Sequence, residues 1–373
     1  MTRPAHESPS QLSPAHLTVR LGALAANYRE VLRRAAPAAA APVVKANAYG
    51  MGIAPVVHAL ERAGADSFFV ARVEEGIEAR ALAHNARIFV LDGIAPGTAP
   101  ALEAHRLTPV LNSLDEFAEW SARARSERKD LDAALQIDTG MNRSGLSHAE
   151  LAQLASRLRE SLVGVNLVLI MSHLARADET GHDMNWTQLA RFRAALAVLP
   201  PAPASLAASA GIELGRDFLF DLVRPGIAIF GGSPLPGRPS PYRTAAVLSG
   251  RVLQVRHLEA GDTVGYSASF TATRPARLAI VATGYADGLI RAVGARGFAA
   301  IAGVRVPFAG RISMDLLALD ATDVPEQALV RGTEVEFLGD TISLEDVAEW
   351  SGTITHEVLT ALSPRAHRIY VDN

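Results

Sequence analysis

Val43-Val44-Lys45-Ala46-Asn47-Ala48-Tyr49-Gly50-Met51-Gly52 sets one lysine at the end of a short apolar run. The run reads as a buried strand, followed by a turn with Asn47, Tyr49 and two glycines. Ile53, Val56, Val57 and Leu60 then recur at helical spacing. An ammonium at the mouth of an apolar strand is costly to desolvate. A lysine placed there either snorkels outward or serves as a nucleophile. A partly buried amine loses its proton easily and can form a Schiff base with a carbonyl.

Working outward, strand-like apolar runs recur at 42–46, 67–71, 88–92, 107–112, 133–138, 167–173, 204–209 and 222–230. Segments such as 73–83, 147–160 and 186–199 between them are helical by pattern, as is the face of Leu21, Leu24, Tyr28, Val31 and Leu32. Eight strands alternating with helices predict an α/β fold, a parallel (β/α)8 TIM-like barrel over 15–236. An open doubly wound sheet is the alternative, weakened by the lack of a G-x-G-x-x-G in the first βα turn. Residues 1–14 read as a leader, and the alanine-rich 35–41 as a loop or helix end.

Past residue 233 the proline-rich SPLPGRPSPYR connects to a mainly β domain over 237–373, with short runs at 247–255, 278–283, 299–306, 316–319 and 334–338 and a small helix near 343–351. A chain of 373 residues suggests two domains, and 49% hydrophobic residues supply an ample core. The formal charge of -3 offers no basis for nucleic-acid binding. The absence of cysteine excludes disulfides, thiolate metal sites and cysteine nucleophiles. The N-terminus lacks a signal-peptide core, and no run of about 18 apolar residues is present to span a membrane. The expectation is a soluble cytoplasmic protein with no membrane partner and no metal.

Active sites of such barrels lie at the C-terminal ends of the strands. Lys45 ends the first run, Asp138-Thr139-Gly140-Met141-Asn142-Arg143 the fifth, Ser172-His173 the sixth and Ser209 the seventh, while Arg224-Pro225-Gly226 lies in the eighth. Each has an ordinary structural explanation alone. Converging on one mouth, they look like a cofactor cradle.

VVKANAYGMG resembles the pyridoxal-phosphate lysine motif of alanine racemases, and later motifs recur in that family's order to about residue 370. The resemblance implies that Lys45 carries pyridoxal phosphate covalently and that Tyr49 touches its phosphate. It implies that Arg143, in DTGMNRSG, meets the cofactor's phenolic oxygen and the substrate carboxylate. His173 would lie against the pyridine ring, and Ser209, Gly226 and Ile227 would bind phosphate. Arg224, of RPGIAIFG, would face the pyridine nitrogen. An arginine does not give up its proton, so that nitrogen would stay unprotonated.

In the β domain VGYSASF matches the segment of the family's catalytic tyrosine, here Tyr266. GYADG (Tyr285) and GRISMD (Arg311, Met314, Asp315) follow in register. By resemblance these complete the site of a neighbouring subunit in a homodimer, with Met314 at the substrate carboxylate. Asp178, Tyr285, Arg291, Arg311, Asp315 and His356 would line the substrate entry. Lys45 and Tyr266 would be the two bases on opposite faces of alanine's Cα.

Two positions depart from the family pattern. Gln136 stands where many members have a carbamylated lysine, and its neutral amide is expected to orient Arg143. His356 stands where a tyrosine often narrows the entry, which opens a second reading as a broad-specificity amino-acid racemase. A decarboxylase of similar architecture would use a cysteine and an acidic partner for the ring nitrogen; zero cysteines and Arg224 speak against it. A non-catalytic cofactor-binding protein similar to a lone racemase barrel would lack the β domain. The physiological role, D-alanine supply for cell-wall (peptidoglycan) precursors or D-alanine catabolism, stays open.

Overall fold

The computed structural model describes residues 13–156 and 163–373. The expected leader lies, through residue 12, outside the described residues, as do the last four residues of the helix expected over 147–160.

Six parallel strands lie side by side in chain order: Ser67–Val70, Arg87–Val90, Thr108–Leu111, Leu131–Gln136, Val165–Met171 and Ala204–Ser205. Helices Val73–Leu82, Ala99–Ala104, Leu114–Glu127, His148–Ser156 and Asp183–Val198 connect them. Phe68, Phe69, Val70, Ile88 and Val90 are completely buried, as strands covered on both faces require.

The expected first and eighth strands are thinner than their apolar runs suggest. Ala39–Ala40 and Leu222–Val223 pair with each other, and single bridges, Val43 with Phe69 and Ala208 with Arg224, join them to the six. Continuous pairing therefore covers six strands and does not close the barrel. Pro42 and Pro225 lack the N–H groups that longer ladders need. The alanine-rich stretch, expected as a loop or helix end, supplies both the end of helix Leu21–Ala35 and the first strand.

The second half of the chain builds an eight-stranded mixed sheet. Its long strand Ala246–Leu258 pairs with Ala276–Val281, with Glu334–Leu338 and with His16–Arg20. His16–Arg20 also pairs in parallel with His367–Val371, so the N-terminal segment folds into the C-terminal sheet. Neither strand was evident as an apolar run. The run at 299–306 is a hairpin, Phe298–Ile301 with Val304–Pro307, reversed at Ala302 and Gly303, both at positive φ. Helix Leu344–Ser351 forms as expected, its Ser343 hydroxyl accepting from the Asp346 N–H.

Candidate active site

Lys45 does not simply end a strand. Ala46, Asn47, Ala48 and Tyr49 all sit in the left-handed region at φ of 53–54°. This conformation costs L-residues roughly 1–2 kcal/mol each, so the turn persists only if its surroundings hold it. The Ala46 N–H donates to the Glu75 carboxylate at 2.7 Å, and the Asn47 side-chain oxygen accepts from the Ile53 N–H at 2.8 Å. The turn delivers the part-buried Lys45 amine to the mouth of the strands and the Tyr49 ring to the interior. Burial, then the charge of Arg143, lowers the Lys45 pKa, while Glu75 and Asp92 oppose the fall. A lowered pKa favours the neutral, nucleophilic form of the amine.

Arg224 is 3% exposed and donates to Ser205 Oγ (2.5 Å), to the Ser172 carbonyl (2.6 Å) and more weakly to Leu206. All these partners are neutral. Burial pushes its pKa down to about 9, so it remains charged at neutral pH. Its Nη2 also lies 3.3 Å from His173 Nδ1. Because a guanidinium only donates, that nitrogen accepts and the His173 proton sits on Nε2. Burial, then Arg224, Arg143 and Lys45, lowers the His173 pKa to about 3 and keeps the ring neutral.

Ser209 Oγ accepts from the Gly226 N–H at 3.0 Å and the Ala228 N–H at 3.3 Å, which leaves its own proton to donate. The segment Ser209–Ile212 is only four residues long, so no helix terminus of consequence supports an anion there. Gly226 is engaged with Ser209 rather than free. A Cβ at Gly226 would meet the Tyr49 hydroxyl, which that glycine admits. Tyr49 stacks on Phe230 with centroids 4.4 Å apart, and burial raises its pKa, so it stays a hydroxyl donor.

One cavity of about 1590 Å³ is lined by Lys45, Tyr49, Arg143, His173, Ser209, Arg224, Gly226, Ile227, Asp178 and His356. Arg143 is exposed at its edge and forms no hydrogen bond or ion pair among the described residues, which suits it to a carboxylate brought by a ligand. Gln136 also lines the cavity, but no hydrogen bond joins its amide to Arg143. The expected orienting role is not realised: Gln136 is buried and Arg143 lies out at the rim. His356 enters from helix Thr355–Thr360, 5.9 Å from the Tyr49 ring; burial, then Lys45, lowers its pKa.

The remaining expected residues lie elsewhere in the chain. Tyr266 (70% exposed), Tyr285, Arg291, Arg311, Met314 and Asp315 are exposed on the β domain and do not line the cavity. Most belong to one cluster of loops. Tyr285 N–H donates to the Ser313 carbonyl (3.1 Å), Arg311 reaches Ser267 Oγ (3.4 Å), and Arg365 holds Asp315 (2.5 Å).

Sequence reasoning missed Glu75 and Gln188. Glu75 also accepts from Ala71 (2.8 Å) and Arg72 (3.2 Å), tying the lysine turn to the end of the next strand. Its signal was an acidic residue in the first turn of a helix. Fully buried Gln188 bonds Thr139 Oγ1, the His173 carbonyl and the Ala175 N–H, pinning two mouth loops together. A glutamine inside a helix gave no such signal.

The donor set fits pyridoxal phosphate: a part-buried amine for its aldehyde, a buried guanidinium with neutral partners for its ring nitrogen, and hydroxyls at Tyr49 and Ser209 for its phosphate. Residues 19–234 match the family model described as alanine racemase, N-terminal domain, and residues 245–370 that of the C-terminal domain. A protein of Agrobacterium fabrum named "Alanine racemase, catabolic" is 47% identical, over 95% of this chain and 92% of its own. The alanine racemase of Methylobacterium nodulans is 46% identical, over 96% of each chain. The crystal structure of alanine racemase from Bartonella henselae with covalently bound pyridoxal phosphate superposes with a TM-score of 0.91 at 38% identity, covering 96% of this chain and 100% of the other.

Proposed function

The chain belongs to the alanine racemase family, and from that premise we propose that it interconverts L- and D-alanine with pyridoxal phosphate held at Lys45. The carrying observation is the part-buried Lys45 amine, its pKa lowered by burial, sharing one cavity with buried, neutrally partnered Arg224. When bound, the cofactor supplies an aldehyde that links to amines and a ring that acidifies the adjacent Cα–H bond. Lys45 would anchor it and would move the proton at Cα on one face. Arg224 would donate to the ring nitrogen and, being cationic, would leave that nitrogen unprotonated. Tyr49, Ser209 and the backbone near Ile227 hold the phosphate, and Arg143 holds the substrate carboxylate.

Racemisation needs a proton donor on the opposite face. Tyr266, outside the Lys45 cavity of its own chain, stands exposed with Tyr285 and Met314, where it is available to a neighbouring chain's site. We take Tyr266 of the partner subunit to close the site in a cytoplasmic homodimer, with Tyr285, Arg291, Arg311 and Asp315 around the entry. No helix among the described residues is long and apolar enough to cross a membrane. Enantiomers have equal free energy, so supply or consumption of D-alanine is set by the cell rather than by this site. His356 near Tyr49 supports the second reading, a racemase that also accepts larger amino acids.

The test is borohydride reduction of the holoenzyme, peptide mapping, and racemase assays against a panel of amino acids. The expected result is a reduced adduct on Lys45, absent from Lys45→Ala, with alanine among the substrates. An adduct on another lysine, or no racemisation of any amino acid, would overturn the reading.

A further inference from the structure

The left-handed stretch Ala46–Tyr49 is pinned at both ends by groups from elsewhere in the chain. At its start, Glu75 Oε1 accepts from the Ala46 N–H at 2.7 Å while Oε2 holds the Ala71 and Arg72 N–H groups. At its end, the Gly50 carbonyl accepts two hydrogen bonds from Arg368, from Nη2 at 2.6 Å and Nε at 3.1 Å. The same guanidinium donates to the Leu362 and Ser363 carbonyls at 3.3 and 3.2 Å. Tyr370, two residues on, donates to the Met51 carbonyl at 3.0 Å. The fit is close: a Cβ at Gly50 would lie 2.6 Å from the Leu359 carbonyl oxygen, and one at Gly52 2.3 Å from the Tyr370 hydroxyl.

We propose that Glu75 and Arg368 are positioning residues that clamp the turn after Lys45, so that the β domain as well as the barrel sets where the Lys45 amine stands. Neither residue lines the cavity, so each acts through the backbone. A strained segment persists only when its surroundings over-determine it. Freeing either end lets residues 46–49 relax toward ordinary backbone regions and lowers the fraction of molecules whose amine is in place. Apparent cofactor affinity then falls in proportion to that fraction. Glu75 has a second effect, because its charge favours the ammonium form of Lys45.

The proposal rests on Lys45 being the cofactor anchor, and the experiment separates the two. Borohydride mapping of the wild type decides the anchor. Amide hydrogen exchange across residues 46–50 and titrated cofactor affinity decide the clamp. Arg368→Met should raise the cofactor dissociation constant at least tenfold and speed exchange at Gly50, with Arg368→Lys recovering part of both. Glu75→Gln should speed exchange at Ala46 and shift the pH profile of the cofactor's visible band to lower pH. Where Arg368→Met fails to fold, Tyr370→Phe, which removes one hydroxyl from the same side, should speed exchange at Met51 and Gly52. Wild-type exchange and wild-type cofactor affinity in the folded variants would overturn the clamp even if Lys45 is trapped normally.

Discussion

Gly226 and Tyr49 are in such close register that a Cβ at residue 226 would lie 2.3 Å from the Tyr49 hydroxyl oxygen. That hydroxyl belongs to a ring wedged on Phe230. Gly226→Ala should therefore displace Tyr49 and lower cofactor affinity by tenfold or more, measured by equilibrium titration of the visible band. Tyr49→Phe added to Gly226→Ala should regain part of the folding stability while leaving affinity low. Unchanged affinity in Gly226→Ala would separate Tyr49 from the phosphate.

The separation of Tyr266 from the Lys45 cavity within one chain leads to a complementation test. Lys45→Ala and Tyr266→Phe are each expected to lose at least about 10²-fold in racemisation, the usual effect of removing a general acid–base group. Mixed after unfolding and refolding together, they should form heterodimers carrying one intact site, and activity should return. Heterodimers isolated without activity would show that the two residues do not share a site.

His173 sets a pH dependence of stability with a definite sign. Its folded pKa of about 3 lies below the roughly 6.5 of an unfolded histidine. As pH falls through about 6.5 the unfolded chain takes up a proton that the folded chain refuses. Stability is lost from there down to about pH 3, by at most about 1.4 kcal/mol per pH unit, and this group contributes nothing above that window. His173→Gln should show a shallower fall in urea midpoint between about pH 6 and about pH 4.5 than the wild type. Parallel profiles would mean that His173 titrates normally.

At the cavity wall, His356→Tyr adds bulk beside Tyr49. A change in pocket size of this kind is worth about 1–3 kcal/mol. The ratio of kcat/KM for alanine over serine should then rise tenfold or more. No change in the ratio would place His356 outside the substrate path.

Much of this was legible in the chain. The alternation of Ser67–Val70, Arg87–Val90 and their successors with amphipathic helices is written in hydrophobic periodicity, because burial on both faces demands continuous apolar runs. The mouth residues Lys45, Arg143, His173, Ser209 and Arg224 were found because each is polar beside an apolar run. Gln136 lines the cavity, but the hydrogen bond to Arg143 expected of it is not formed, since hydrogen bonding depends on angles that no spacing reports.

The sequence by itself determined the six parallel strands in chain order, the lysine, and the polar residues at the strand ends that line its cavity. Only the tertiary structure decided that four consecutive residues after Lys45 are left-handed, that His16–Arg20 joins the C-terminal sheet, and that Arg368 reaches the Gly50 carbonyl. Local pattern encodes which face of an element is buried, because that is a one-dimensional property of period 2 or 3.6. A strained turn and a pairing across 318 residues have no such period. They exist because distant groups satisfy one another in space, and that is fixed only when the whole chain has closed.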